Sequence, residues 1–257
     1  MCNYARWVIC LEIVRKDKSK LARAYSITRW AGERKNTMVK PRAVETDQGM
    51  PEKYKVEKCD SLQRRLRDKG WIGTNMVLDT GIKDGLALEI RSGPGFLGLE
   101  WLKRTKDTYL KGLEILPEMI KVAERNAREY GVESRVKYFQ GNVHEMPFDD
   151  EAFDAVFSNG ALHEWSYPVK VFNEVWRVLR TGGRYCISDL RRDMNALVRW
   201  FLRLNAGRSA VRIGLESLIN ASYTVQEIRP ILGMSYLWGY KVKKSSLGLA
   251  VTGQKKQ

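Results

Sequence analysis

Histidine and cysteine are scarce in this chain. There are two histidines and four cysteines (Cys2, Cys10, Cys59 and Cys186) in 257 residues. No CxxC pair occurs and no histidine stands at metal-ligand spacing, so no metal site is expected, and Cys186, inside an apolar strand pattern, reads as core. Also missing is any apolar run near the roughly eighteen residues that a membrane-crossing helix requires. The short apolar patch at the N-terminus is interrupted by Glu12 and no small-residue cleavage site follows it. This argues against a secretory signal and for a cytoplasmic protein. Acidic residues are in deficit, 30 Asp and Glu against 45 Lys and Arg, for a net charge of +15. Residues 1–49 hold eleven basic and five acidic residues, which is +6 of that total. The remaining excess is scattered over helix faces such as KVAERNAREYG, the pattern of a solvated surface rather than of one concentrated nucleic-acid face.

What is present is the composition of a globular domain, 44% hydrophobic and 29% charged, at a length suited to one large α/β domain with appendages. Residues 1–49 stand apart: hydrophobic periodicity is weak, and 32–49 have the polar, Pro- and Gly-punctuated character of a linker, so this stretch reads as a basic and flexible extension. From Pro51 to Gly70 the pattern is helical, with Gly70 in the place of a C-cap. Strands and helices then alternate. Strands are expected at 86–90, 108–114, 136–142, 153–159 and 184–190, and helices at 96–105, 117–131 and 169–183, the last closed by two glycines. Residues 191–222 interrupt the rhythm with two basic amphipathic helical stretches. A helix at TVQEIRPIL and two strands, YLWGYKVKK and LGLAVTG, complete the chain, and the short KKSS connection predicts an antiparallel hairpin. The alternation predicts an α/β fold with a doubly wound, Rossmann-like sheet of seven strands. It is mostly parallel, with an antiparallel C-terminal hairpin strand and inserted lid helices.

In such a sheet the ligand lies beyond the carboxyl ends of the strands, where strand order reverses. After the first strand comes Arg91-Ser92-Gly93-Pro94-Gly95, leading into a helix whose free N–H groups favour negative charge nearby. Nineteen residues past Gly95 the second strand ends in Glu114, a carboxylate able to accept from both hydroxyls of a ribose. A nicotinamide-type GxGxxG would need glycines at 91, 93 and 96, and only Gly93 fits. An acidic residue followed by xGxGxG needs Glu89 and glycines at 91, 93 and 95, and only position 91 fails.

With those motifs in order, residues 84–190 resemble the core of class I S-adenosylmethionine-dependent methyltransferases, in particular the small-molecule type that includes quinone-biosynthesis C-methylases. LEIRSGPGFLGLEWL is similar to the family's first motif and GLEILPEMIKVAERN to its second. GNVHEMPFDDEAFDAVFSNGALHEW resembles its third and fourth, and VWRVLRTGGRYCISDL its passage into the fifth strand. The resemblance implies a methyltransferase domain over 50–257, with 191–222 as inserted substrate-covering helices. It implies S-adenosylmethionine as cofactor and S-adenosylhomocysteine as product. By the same resemblance Glu89 and the turn residues Ser92, Gly93 and Gly95 would face the methionine moiety, Glu114 the ribose, and Ile115 the adenine. Asn142, followed by Val143, stands where the family often has an aspartate reading the adenine amino group. Asn159 and Gly160 would lie near the methyl donor. For Glu89 the alternative is a purely structural part in the turn, and for Asn159 the capping of the next helix.

Arg91 is the departure, since the first glycine of this turn admits backbone and cofactor without a Cβ. Three outcomes are open: the side chain points out through the pocket mouth, crosses the cofactor site, or pairs with a carboxylate such as Glu89 or Glu114. On the acceptor side, His163 and Glu164 in GALHEW are the candidate bases. His163 is favoured for catalysis by its titration range, with the alternative that it orients the loop. Trp165 and Tyr167 would be walls. The run after the fourth strand is SNGA rather than the PPY-like signature of base N-methylation. No loop cysteine suits cytosine methylation, and no arsenic-type cysteine set is present. The expected acceptor is therefore a small molecule. Leu197, Trp200, Phe201 and Leu204 form an apolar stripe, and Arg191, Arg192, Arg199 and Arg203 are placed to attract an acidic acceptor. Two alternatives stay open: an RNA methyltransferase using the basic segments, and a pseudo-methyltransferase whose cofactor site is impaired by Arg91.

Overall fold

The computed structural model of the chain describes residues 41–43, 53–68, 70, 72–205 and 209–256. Helix α1 (Lys53–Asp68) ends near Gly70, which takes the left-handed conformation at φ 68°, as the C-cap pattern predicts. A short helix α2 (Thr74–Leu78) follows, which the sequence reading did not contain. The alternating region then gives β1 (Gly85–Ile90), α3 (Phe96–Lys103), β2 (Thr108–Glu114), α4 (Pro117–Tyr130), β3 (Val136–Gln140) and β4 (Phe153–Asn159). It continues with α5 (Pro168–Val178), β5 (Leu179–Leu190), α6 (Ala196–Asn205), α7 (Ser209–Ala221), α8 (Val225–Gly233), β6 (Lys241–Lys244) and β7 (Gly248–Gln254).

The strands form one seven-stranded sheet in the order β3-β2-β1-β4-β5-β7-β6. The pairs from β3 through β5 are parallel, and β7 runs antiparallel to both β5 and β6. Strand order therefore reverses between β1 and β4, and the carboxyl ends of those two strands are where a ligand crevice opens. Side chains alternate across the sheet. Ala87, Ala155 and Phe157 join the apolar layer of Trp101, Leu102 and Ala123, whereas Leu88, Ile90 and Val156 join that of Phe172, Val175 and Ile228.

Several boundaries differ from the sequence expectation. Helix α5 stops at Val178, and the two glycines expected to close it lie inside β5. Phe153 pairs with Leu179 and Ala155 with Arg184, so the register shifts between them. Gly182, at φ 82°, absorbs the irregularity. The Gly182 N–H donates to the Lys255 carbonyl at 2.8 Å and the Lys255 N–H to the Gly183 carbonyl at 2.9 Å, bonds that a helix cap would not make. The strand expected over 236–244 is ordered as strand only from Lys241, and β3 ends at Gln140 rather than 142.

The extension at 1–49 lies outside the described residues except for 41–43, and these do not behave as a linker. The Ala43 N–H donates to the Asn220 carbonyl at 3.0 Å. Arg42 donates to the carbonyls of Ala221 and His163, both at 2.7 Å, and its guanidinium lies 4.2 Å from the Tyr223 ring centroid. Within 191–222 the two expected helices are present as α6 and α7.

Candidate active site

The pairing of β1 with β2 ends at Ile90 and Leu113, and the chain turns at once. The Ser92 N–H still donates to the Leu113 carbonyl at 3.2 Å, and the Gly95 N–H closes the turn onto the Ser92 carbonyl at 3.0 Å. Arg91, Gly93 and Gly95 all have positive φ, at 57°, 55° and 86°. The glycines take this conformation without penalty, but an arginine does not, and its backbone there costs about 1 kcal/mol. At Gly95 space is also decisive, because a Cβ would lie 2.4 Å from the Tyr138 hydroxyl. From behind, Asn126 of α4 donates to the Pro94 carbonyl at 2.9 Å and to Asp60 of α1 at 2.7 Å, which pins the turn to two helices.

Glu114 ends β2 and is buried against this turn. Its Oε2 accepts from the Gly93 N–H at 3.0 Å, and its Oε1 accepts from the N–H groups of Ile115 at 2.9 Å and Leu116 at 3.3 Å. The Arg91 side chain takes the third of the outcomes left open above. Its Nη1 lies 3.4 Å from Glu114 Oε1, and its Nη2 donates to Glu164 Oε2. All three side chains are at most 9% exposed. One guanidinium thus joins the ends of β1 and β2 to the turn after β4.

Glu89 faces the other way. It shares the sheet face of Ala87, and its Oε2 would meet a Cβ on Gly98 of α3 at 2.4 Å. Burial pushes the Glu89 carboxyl well above the usual carboxylate range, a hydrogen bond with the Gly98 backbone opposes this, and the nearby Glu114 charge adds to it. Glu89 Oε2 and Ser92 Oγ are buried with no hydrogen-bond partner. Ile115 is half-buried beside the Glu114 cluster. Asn142 is exposed, and its amide oxygen is already used locally, accepting from the His144 N–H at 3.0 Å with His144 Nδ1 at 2.9 Å. Val143 is a core residue of the α5 side of the sheet.

Asn159 does not cap the turn that follows it. Its amide oxygen accepts from Ser188 Oγ of β5 at 2.8 Å, while Gly160, at φ 79°, donates its N–H to the Ser188 carbonyl at 2.8 Å. Beside them lies a cavity of about 360 Å³ with Ile72, Gly73, Met76, Ser188, Asp189, Leu247 and Leu249 among its walls. A Cβ on Gly73 would stand 3.4 Å from the Asn159 amide nitrogen.

His163 lies in a 3₁₀ turn (Leu162–Glu164) and is fully buried. Both its N–H, at 2.7 Å, and its Nδ1, at 3.0 Å, meet Asp189 Oδ2. A carboxylate only accepts, so Nδ1 carries the proton, and Nε2 stands 3.8 Å from Glu164 Oε1. Asp189 also accepts from the Leu190 N–H at 2.6 Å. The aromatic walls divide: Trp165 is core, edge-on to Phe172, and Tyr167 is exposed.

The four arginines expected to attract an acidic acceptor are engaged within the fold. Arg191 pairs with Asp193, Arg192 with Glu227, and Arg199 and Arg203 with Glu216. Sequence reasoning passed over Asp189, Arg42 and the Asn126–Asp60 brace. Only Asp189 carried a readable signal, an acidic residue at the carboxyl end of the fifth strand on the rim where ligands bind.

The family model described as a methyltransferase domain matches residues 88–187. An uncharacterized methyltransferase of Bacillus subtilis, YdaC, is 30% identical over 109 residues, 42% of this chain and 58% of that protein. The demethylmenaquinone methyltransferase of Roseiflexus castenholzii is 29% identical over 134 residues, 52% of this chain and 54% of its own. The chain thus spans little more than half the length of these two relatives. In three dimensions a Methanococcus maripaludis crystal structure, assigned as an S-adenosyl-L-methionine-dependent methyltransferase, aligns with a TM-score of 0.70 at 20% identity. That alignment covers 84% of this chain and 98% of the other, and it is a likeness of fold.

Proposed function

We propose that this chain is a class I S-adenosylmethionine-dependent methyltransferase that transfers a methyl group to a small-molecule acceptor, a reading supported by the methyltransferase-domain match over residues 88–187. One observation carries the cofactor half of the reading: the Glu114 carboxylate, stitched by the Gly93 N–H to the turn after β1, faces the point where strand order reverses. A nucleoside cofactor needs a turn that a backbone can approach, an acceptor for the ribose diol and an apolar surface for the base. Gly93 and Gly95, Glu114 and the half-buried Ile115 fit those needs, provided that the Arg91 guanidinium gives way at Glu114. In this assignment Glu89 supports the turn from beneath α3, and Val143 backs the adenine side from the core. Asn142 serves its own loop through His144. Asn159 and Gly160 border the methyl donor, braced by Ser188.

When bound, the cofactor supplies a sulfonium-activated methyl group for in-line displacement, where alignment provides much of the rate. The residues of this chain supply the alignment. Asp189 fixes His163 by its main chain and its ring together, so His163 is assigned here as a positioning residue for the Gly160–Trp165 loop. The small-molecule half of the reading rests on scale, because the cavity walled by Gly73, Ser188 and Asp189 holds about 360 Å³, room for a small acceptor. The domain division is proposed likewise, with residues 50–257 as the methyltransferase domain and 1–49 as an extension tied to it at Arg42.

Titration of S-adenosylhomocysteine into the full chain tests the reading. The Glu114→Gln substitution removes the charge that strengthens the ribose hydrogen bonds, and affinity is expected to fall on the order of tenfold or more. Equal affinities for both proteins would remove Glu114 from the site. A second reading, a pseudo-methyltransferase without cofactor, is favoured by one observation, the Arg91–Glu114 pairing.

A further inference from the structure

We propose that Arg91 sets the preference of this site between the charged and the neutral form of its cofactor, acting as a resident cation on carboxylates that a sulfonium ligand would otherwise face alone. The inference rests on the cofactor reading above and deepens it.

Three observations lead there. First, Arg91 holds a left-handed backbone, at φ 57°, that favours glycine, and its side chain is nonetheless buried on two carboxylates from other elements. Those pairs hold the guanidinium at the ligand end of the sheet.

Second, Glu114 Oε1 is crowded. It meets the N–H groups of Ile115 and Leu116 and Arg91 Nη1, whereas Oε2 accepts from the Gly93 N–H. A carboxylate oxygen offers about two lone-pair sites, so a ribose diol that engages both oxygens must displace a donor at Oε1. The three backbone donors are fixed by the turn, and the longest of the four contacts, at 3.4 Å, is the guanidinium.

Third, the charges decide which ligand suffers. Glu114 and Glu164 contribute −2, and Arg91 brings the local sum to −1. The methyl donor carries one positive charge more than its thioether product. In a buried site of low effective dielectric, a neighbouring guanidinium repels the sulfonium and leaves the thioether almost untouched. Removing the guanidinium therefore helps the donor more than the product.

The test is calorimetric titration of S-adenosylmethionine and of S-adenosylhomocysteine into the full chain, into Arg91→Gly and into Arg91→Met. The methionine variant keeps bulk and backbone strain but loses the charge. The expected result is that both substitutions raise the donor-to-product affinity ratio on the order of tenfold. Should a variant melt too low for calorimetry, the rise in its melting temperature with each ligand reads the same ratio, because a ligand of the folded state stabilises by mass action. A ratio unchanged from wild type in both variants, with the ligands still bound, overturns the inference and leaves the cofactor reading standing. A gain in Arg91→Gly alone, equal for both ligands, also overturns it, because bulk and not charge would then be the obstacle. Binding of neither ligand by any of the three proteins overturns the cofactor reading, and this inference with it.

Discussion

Asp189 serves three donors from a fully buried position. The His163 N–H, the His163 ring and the Leu190 N–H all end on its two oxygens, and Asp189 and His163 are both fully buried. Truncation to Asp189→Ala would strand those donors together, and the expected loss is about 3 kcal/mol or more of unfolding free energy, read from denaturant midpoints. A loss below about 0.5 kcal/mol would mean that the loop after β4 is held by other contacts. Arg91 shows the opposite balance at the same scale. Its backbone is strained by about 1 kcal/mol, yet removing it leaves Glu114 and Glu164 as buried charges without their shared partner, which costs about 3–5 kcal/mol. The Arg91→Gly chain is therefore expected to be less stable without ligand despite its easier backbone, and a thermal melt of the ligand-free protein checks the sign.

Helices α6 and α7 are joined by charge as much as by packing. Leu202 of α6 and Leu218 of α7 are buried in the core, but Leu197, Trp200, Phe201 and Leu204 lie exposed on the opposite side of α6. Glu216 of α7 holds both Arg199 and Arg203 of α6. Burial raises the Glu216 carboxyl, but the hydrogen bonds and charges of the two arginines outweigh it, so its pKa is lowered overall. Glu227 is lowered in the same way, burial being outweighed by the Thr224 N–H and by Arg192. A carboxylate with a depressed folded-state pKa contributes stability above its unfolded value, about 4.3, and loses that contribution as pH falls through the folded value. The α6–α7 pair is thus expected to hold at neutral pH and to loosen below about pH 4, as more rapid amide exchange there than in the central strands. Glu216→Gln is expected to produce the same loosening at pH 7, by about 1 kcal/mol or less because these pairs are partly solvated. Exchange in α6 and α7 that does not change across this pH range would show that packing alone holds them.

The molecule as a whole carries +15, and that number invites a nucleic-acid reading. Within the described fold Arg191, Arg192, Arg199 and Arg203 are paired, and others brace the scaffold: Arg64 and Arg125 on Asp60, and Arg177 on Glu174. These pairs leave the net +15 unchanged, because that sum already counts their carboxylates, but they take these arginines out of any free basic patch on which a phosphate backbone could lie. RNA of mixed sequence is therefore expected to bind weakly at about 0.15 M salt, with no saturation in a fluorescence titration. Saturable binding with a steep salt slope would move the acceptor from a small molecule to RNA. Among the described residues no helix is long and apolar enough to cross a membrane.

Local pattern carried the fold far. Apolar runs of five to seven residues alternating with amphipathic stretches leave a parallel sheet as the solution, because each crossover needs a helix to bring the chain back. Glycine spacing after β1 and a carboxylate at the end of β2 were legible for the same reason, since both act within a few residues of their own strands. The end of α5 was not legible, because Gly182 and Gly183 suit a helix cap locally and become strand only through pairing with the chain's C-terminal segment. The pairing of Arg91 lay open for a similar reason. Sequence determined that a buried-prone turn contains an arginine and that carboxylates are available to it. Only the tertiary structure selected Glu114 and Glu164 over Glu89, because Glu89 packs under α3 against Gly98, while the left-handed backbone at Arg91, just past the end of β1, carries the guanidinium to where the ends of β2 and β4 converge.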